Sequence, residues 1–321
     1  MSQTNTELRA ALIRTLADGR FYSGQMLADT FGLSRTAIAN NIAALKSLGL
    51  DVFSVKGKGY ALPSPLSLLD ESRIRARLPK DGNIPFELFP VIDSTNTYVR
   101  DNIDSIPHGG VVIAEAQTAG RGRRGKTWVS PFGASLYMSM CWRFQGGYQQ
   151  IGGLSLFVGY CIAQALRGLG VDGIGLKWPN DLYRHRKKLG GILVEVEGQI
   201  GTEVSCIIGV GINVNLPDVS QQIDQPYTDL NGFDVCRNQL CGDIISALHT
   251  QLPTFETQGL SGIVEDWNAL DVFADQMVTI SQGEKMQNGI NLGIEASGAL
   301  RLRTKDGVLL IHGGEVSLRG A

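Results

Sequence analysis

Cysteine and histidine are scarce in this chain, and the scarcity removes several function classes at once. Its 321 residues include five cysteines and four histidines. The cysteines, at 141, 161, 206, 236 and 241, are odd in number and lie mostly among apolar residues, so no disulfide framework is indicated. Cys236 and Cys241 have no second pair and no histidine nearby, which argues against structural zinc. Reduced core thiols in a cytoplasmic protein are the expectation. Long apolar runs are missing as well. The longest uncharged one, Ile151–Leu166, stops at Arg167 and contains Gly152, Gly153 and Gly159. It is too short to span a bilayer and reads as a buried helix, so no membrane partner is expected. At the amino terminus no basic stretch runs into an apolar one, and no secretory signal is expected. An excess of either charge is also lacking, with a formal net charge of −2. Residues 1–64 nevertheless carry seven Lys/Arg against four Asp/Glu, and the remainder 22 against 27. A mildly basic head on an acidic body assigns any nucleic-acid contact to the head.

Leu8, Leu12 and Leu16 recur at helical spacing in that head, and Met26, Leu27 and Phe31 form a short second helix ending at Gly32. Ser34 then caps a third helix carrying Ile38, Ile42, Leu45 and Leu48 on its apolar face. This is helix-turn-helix spacing, with Ser34, Arg35, Thr36, Asn40 and Asn41 on the polar side. Val52–Val55, a turn at Lys56-Gly57-Lys58-Gly59 and a return at Tyr60–Leu62 predict a wing hairpin whose tip lysines, Lys56 and Lys58, suit phosphate contact. A tri-helical protein-contact module has the same spacing; the basic wing and the charge bias favour DNA. Pro63-Ser64-Pro65 reads as a linker.

Beyond it, strand-like segments (86–92, 111–116, 136–142, 174–178, 192–196, 204–210) alternate with helical patterns near 95–103, 151–169 and 240–255. The pattern predicts a mixed α/β body whose strand order the sequence leaves open. After residue 271, four short strands with turns at Gln282-Gly283 and Asp306-Gly307 predict a small SH3-like β-barrel. The fold class is therefore α+β, divided as 1–64, 65–270 and 271–321.

Three constellations carry chemistry. Gly120-Arg121-Gly122-Arg123-Arg124-Gly125-Lys126-Thr127-Trp128 satisfies both the dinucleotide and the P-loop patterns as text. Both patterns require a helix directly afterwards, and Pro131 and Gly133 stand where its first turns would run. The acidic residue expected about twenty positions past a dinucleotide motif is absent too. What remains is a loop of three glycines, four cations and no acid, expected to repel itself until ordered by a polyanion. The second constellation is Lys177-Trp178-Pro179-Asn180-Asp181 at a strand end. It precedes Arg184–Lys187, which read as solvated charges, and Lys188 at the mouth of a buried strand. The third, Asp93-Ser94-Thr95-Asn96, places hydroxyls and an amide where a strand meets a helix cap.

Together with Gln117, Lys188–Leu193, Gly209–Asn213 and Gly313–Arg319, these segments resemble the bifunctional biotin–protein ligases that also act as biotin operon repressors. The resemblance covers nearly the whole chain. It implies activation of biotin by Mg-ATP to biotinyl-5′-adenylate, then transfer to a lysine of the biotin carboxyl carrier protein of acetyl-CoA carboxylase. It also implies that the adenylate serves as corepressor at biotin operator DNA, with ligand-induced homodimerisation. By this resemblance Lys188 and Arg123 are catalytic, and Ser94, Thr95, Asn96, Gln117, Arg121, Gly122, Arg123 and Lys188 bind biotin. Arg121, Arg124, Trp128, Lys177, Asn180, Asn213 and Arg319 hold the nucleotide, and Asp181 holds Mg2+. Two departures stand out: Lys126-Thr127 replaces a more basic pair, and no obvious aromatic covers adenine in 214–235, where Tyr227 is the candidate.

Other readings are a metabolite-sensing repressor without catalysis, a covalent lysyl-nucleotide ligase, and a lipoate or octanoyl transferase. The second requires Lys-x-Asp-Gly, but Lys80 and Lys305 each precede Asp-Gly directly. The third leaves the head unexplained.

Overall fold

A computed structural model describes residues 3–79, 83–198, 203–219, 221–223, 225–282, 285–312 and 316–320. In the head, α1 (Gln3–Leu16), α2 (Gly24–Phe31) and α3 (Arg35–Leu45) surround a core of Leu12, Ile13, Leu16, Leu27, Ile38 and Leu45. Ser23 and Ser34 cap α2 and α3 by accepting the Met26 and Ala37 amides, and Gly32 closes α2 in the left-handed conformation that favours glycine. The wing is β1 (Phe53–Val55) paired antiparallel with β2 (Gly59–Ala61).

The expected linker Pro63-Ser64-Pro65 is exposed, and the chain is held directly after it. The Leu66 amide donates to the Ala17 carbonyl at 2.8 Å. Just beyond it, Arg237 and Glu115 form a buried ion pair at 2.8 Å, while the same guanidinium donates to the Ser67 and Ser135 carbonyls.

α4 (Glu71–Arg75) leads into a seven-stranded sheet. In chain order its body comprises β3 (Phe86–Phe89), α5 (Thr95–Asp101), β4 (Val111–Ala114), β5 (Ser135–Phe144), α6 (Leu154–Gly168), β6 (Ile174–Lys177), β7 (Asp181–Arg184), β8 (Lys187–Gly198), β9 (Val204–Asn213), α7 (Arg237–Gln258) and α8 (Val264–Ala269). The spatial order is β3-β4-β5-β9-β8-β7-β6, antiparallel except for β3 with β4. α6 and α7 pack together in the main core with the sheet residues Leu136, Met138, Ile192 and Ile208. The stretch containing α6 is long and apolar enough to cross a membrane, yet nine of the residues of α6 are buried, eight of them in this core.

Strand β7 was absent from the sequence expectation. Asp181–Arg184 is too short to show a period, but it pairs β6 to β8 and turns the expected cation cluster into a hairpin. Two of the supposedly solvated cations are therefore engaged. Arg184 is bonded to Asp172 at 2.9 Å and lies over the Phe233 ring, and Arg186 lies over Phe273 and donates to Gln276. The last 51 residues hold β10 (Met277–Gln282), β11 (Lys285–Ile294), β12 (Leu300–Thr304), β13 (Gly307–Ile311) and β14 (Val316–Gly320). They form one antiparallel sheet in the order β13-β12-β11-β10-β14.

Candidate functional site

Strands β8 and β9 pair Gly191 with Gly211 and Leu193 with Gly209, and the three glycines leave room above the sheet. A cavity of about 570 Å3 lies there, and all of the expected biotin-binding residues line it. So do Arg124, Trp128, Lys177, Asn180, Asp181, Asn213 and Tyr227. The Arg319 side chain lies outside the described residues. A larger cavity of about 680 Å3 between α6 and α7 contains none of the sequence candidates.

One end of the site is uncharged and polar. Ser94 caps α5, and Thr95 donates from its amide (2.9 Å) and its hydroxyl (3.2 Å) to Gln117 Oε1. Gln117 Nε2 donates to Ser130 Oγ at 2.9 Å. The Asn96 amide donates to Glu195 Oε2 at 2.9 Å, and Ser139 Oγ lies 2.5 Å from Asn96 Oδ1. Ser94, Thr95 and Asn96 are all buried. Such an end suits a neutral ligand that both donates and accepts.

The other end is cationic. Lys188 Nζ lies 2.8 Å from Asp181 Oδ1, with the two side chains 16% and 14% exposed, and 5.4 Å from the centre of the Trp128 ring. Trp128 itself lies on the sheet: a Cβ on Gly211 would come within 2.6 Å of the indole. The segment 226–228 runs beside Lys188, whose amide donates to the Pro226 carbonyl and whose carbonyl accepts the Thr228 amide. Asn213 Nδ2 donates to the Thr228 carbonyl, and the Tyr227 hydroxyl accepts the Val219 amide. Lys177 sits over the Tyr183 and Phe273 rings at 5.3 and 5.8 Å. Among the described residues no group of three or more His, Cys, Asp or Glu could hold a metal by itself.

Between the two ends lies the loop 120–128. No helix follows it; after a short 3-10 turn at Arg123–Gly125 the chain enters β5, so both nucleotide motifs fail structurally. Its form is a hairpin: the Gly122 amide donates to the Lys126 carbonyl and the Trp128 amide to that of Gly120. Gly120 is required, because a Cβ there would stand 2.5 Å from the Trp128 carbonyl oxygen. The expected self-repulsion is relieved within the chain. Arg121 meets Glu195 at 2.7 Å and Arg123 donates to Asn180 at 3.0 Å. Burial and the neighbouring Arg124 pull the Arg123 guanidinium below its ordinary value, with Asp181 acting in the other direction.

Sequence reasoning missed Glu195, Ser130 and Ser139. Glu195 had a signal, as the one carboxylate inside the apolar run Ile192–Val196. The two serines had none, since only folding brings them to the site. In the head, Ser34, Arg35, Thr36 and Asn40 lie exposed along the first turns of α3, and Lys56 and Lys58 are exposed at the wing tip. Asn41 instead turns inward to accept from Arg9.

Residues 88–213 match the model of the Biotin/lipoate A/B protein ligase family, residues 8–61 that of an HTH domain, and residues 274–319 that of the Biotin protein ligase C terminal domain. The chain is 46% identical over 321 residues to the Bifunctional ligase/repressor BirA of Salmonella typhimurium, covering 99% of each. It is 45% identical over 314 residues to the Bifunctional ligase/repressor BirA of Escherichia coli, covering 97% of each. Among solved structures, the Biotin protein ligase from Aquifex aeolicus in complex with biotin and ATP superposes with a TM-score of 0.66 at 26% identity, over 74% of this chain and 99% of that one.

Proposed function

The chain belongs to the biotin protein ligase family in its bifunctional ligase/repressor form, and on that premise we propose how its own residues carry each step. The protein activates biotin with ATP and transfers the biotinyl group to a carboxyl carrier protein, and its helix-turn-helix head makes it a repressor. In the first step the biotin carboxylate attacks the α-phosphorus, the α–β phosphoanhydride bond breaks, and pyrophosphate leaves. In the second, a carrier lysine amine attacks the acyl carbon, AMP leaves and the amine loses its proton.

The observation that carries the assignment is the Lys188–Asp181 pair at the cationic end of a cavity whose other end is uncharged and polar. Two anions, a carboxylate and a triphosphate, must be held in line against their repulsion. Lys188 bridges the carboxylate and the α-phosphate as an electrostatic clamp, and Asp181 aims its amine. Ser94, Thr95, Asn96 and Gln117 bond the neutral ureido ring. Arg121, Gly122 and Arg123 close over the adenylate. Arg124, Lys177, Asn180, Asn213 and Arg319 serve the nucleotide, with Trp128 and Tyr227 at its base. Mg2+ habitually takes one or two carboxylates plus phosphate oxygens and water, so Asp181 alone fits an ion that arrives on the triphosphate. That ion would neutralise phosphate charge.

The division of labour follows the chain: residues 1–64 bind operator DNA through Ser34, Arg35, Thr36, Asn40, Lys56 and Lys58, 65–270 catalyse, and 271–321 complete the nucleotide side. The partner in transfer is the carrier of acetyl-CoA carboxylase, and the adenylate, as corepressor, drives formation of a homodimer. A cytoplasmic location is consistent with the unpaired cysteines. Incubation with biotin, ATP and a carrier domain, followed by mass spectrometry of the carrier, should show one added biotinyl group per carrier. An unmodified carrier in the presence of folded protein would sink the ligase assignment.

A further inference from the structure

Arg121 spans from the loop to the neighbouring strand β8. Its Nη1 and Nη2 donate to Oε2 and Oε1 of Glu195 at 3.3 and 2.7 Å, the two-pronged geometry in which an arginine–carboxylate contact is strongest and most directional. The same carboxylate accepts from the Asn96 amide at 2.9 Å, so one side chain joins the loop to the uncharged polar end of the cavity. From Asn96 the bonds continue inward. Ser139 Oγ lies within reach of Asn96 Oδ1 and of Thr95 Oγ1, at 2.5 and 2.7 Å, and Thr95 donates to Gln117. Gln117 donates to Ser130 Oγ, which donates in turn to the Trp128 carbonyl at 3.0 Å. The path leaves the hairpin at Arg121 and returns to it at Trp128, passing through the residues assigned to the ureido ring.

We propose that Glu195 is the latch of this lid: a positioning residue that holds the 121–128 hairpin over the acyl-adenylate and ties its closure to the polar end of the pocket. The proposal rests on the ligase assignment above. A latch must both hold and open. A fully buried pair would open too seldom for the carrier lysine to enter, whereas an exposed pair would hold little. Here the Arg121 and Glu195 side chains are 38% and 21% exposed, between those limits. The lone carboxylate in an otherwise apolar stretch of β8 is thereby explained, since a strand built only for packing would not carry it.

Glu195→Gln separates the two contacts. The amide still accepts from Asn96 but no longer offers charge to Arg121. Adenylate formed in place from biotin and radiolabelled ATP, then chased with unlabelled biotin and ATP, should leave Glu195→Gln roughly ten-fold faster than wild type. Labelling of free lysines in bulk protein should rise in parallel. Glu195→Ala, which also removes the acceptor for Asn96, should in addition raise the KM for biotin, while the KM for ATP moves less. Arg121→Gln should reproduce the faster release, and the double variant should release no faster than either single one, because both remove the same contact. A packing role alone would lower the melting temperature and leave the release rate unchanged. Release at the wild-type rate from Glu195→Gln, or effects of the two substitutions that multiply, would overturn the latch. If Glu195→Gln does not fold, Arg121→Gln on the loop tests the same contact from its other side, and release from it at the wild-type rate would overturn the latch equally. Wild-type protein that formed no adenylate would instead remove the ligase assignment, and the latch with it.

Discussion

Lys188 and Asp181 show how little of a residue's role lies in its type. Each side chain is less than one-fifth exposed, and the 2.8 Å contact fixes an amine that would otherwise sweep a wide arc on its four-carbon stem. The Trp128 ring lies 5.4 Å from the same amine, and the 226–228 segment pins the Lys188 backbone. In the clamp role proposed for Lys188, an amine held in place would need no reorganisation when charge develops, which is where electrostatic catalysis gains most. Lys188→Ala should therefore slow pyrophosphate release by roughly 10²–10³-fold. It also leaves Asp181 without its partner, so a fall in melting temperature should accompany the loss. Lys188→Arg keeps the charge but presents a planar fork where a point charge fits, and recovery of activity should be partial. Pyrophosphate release from Lys188→Ala within threefold of wild type would show that another group neutralises the carboxylate.

Among the elements, the segment that follows the lid has two attachments. Ser130 bonds Gln117 in the pocket, and two residues later Phe132 is 4% exposed within the core of the head, beside Leu12, Leu45 and Leu48. The Phe132 amide donates to the Leu48 carbonyl at 2.8 Å, and Pro131 lies so close to Gly49 that a Cβ there would stand 2.6 Å away. A short piece of the catalytic body thus completes the hydrophobic core of the DNA-binding head. Phe132→Ala should cost about 3 kcal/mol, the usual range for emptying such a site. The loss should fall on the head, giving an earlier calorimetric transition for α1–α3 than for the sheet. An unchanged single transition would mean that the contact contributes little.

For the molecule as a whole, the charge asymmetry limits what one copy can do. A head with seven basic against four acidic residues is expected to make few phosphate contacts, so a single head should bind DNA weakly at physiological salt. Two heads acting on a two-fold operator would overcome this, which is the physical reason for proposing that repression depends on dimer formation. Light scattering should show an increase in mass when biotin and ATP are added together, and none with either alone. A mass that stays constant while adenylate forms would break the proposed link between ligand and repression.

Local pattern was enough for much of this protein. The cap at Ser34, the wing turn, the long apolar helix and the alternating strands are properties of short windows, because capping and periodicity act over a few residues. The loop, the Lys177–Asp181 turn and Lys188 were likewise visible as clusters of charge and glycine. The proline and glycine after the loop were sufficient to dismiss both nucleotide motifs. Other features depend on distance in space. Strand β7 is too short to have a period and exists because β6 and β8 flank it. Arg184 and Arg186 read as solvated until folding set them against Asp172, Phe233 and Phe273. Glu195, Ser130 and Ser139 enter the site from segments up to 65 positions apart, and no window of sequence contains them together. Which groups this protein has for binding and activating an anion is written in its residue order. Which acid answers each cation is settled only by folding, because an ion pair requires contact at about 3 Å and separation along the chain says nothing of that.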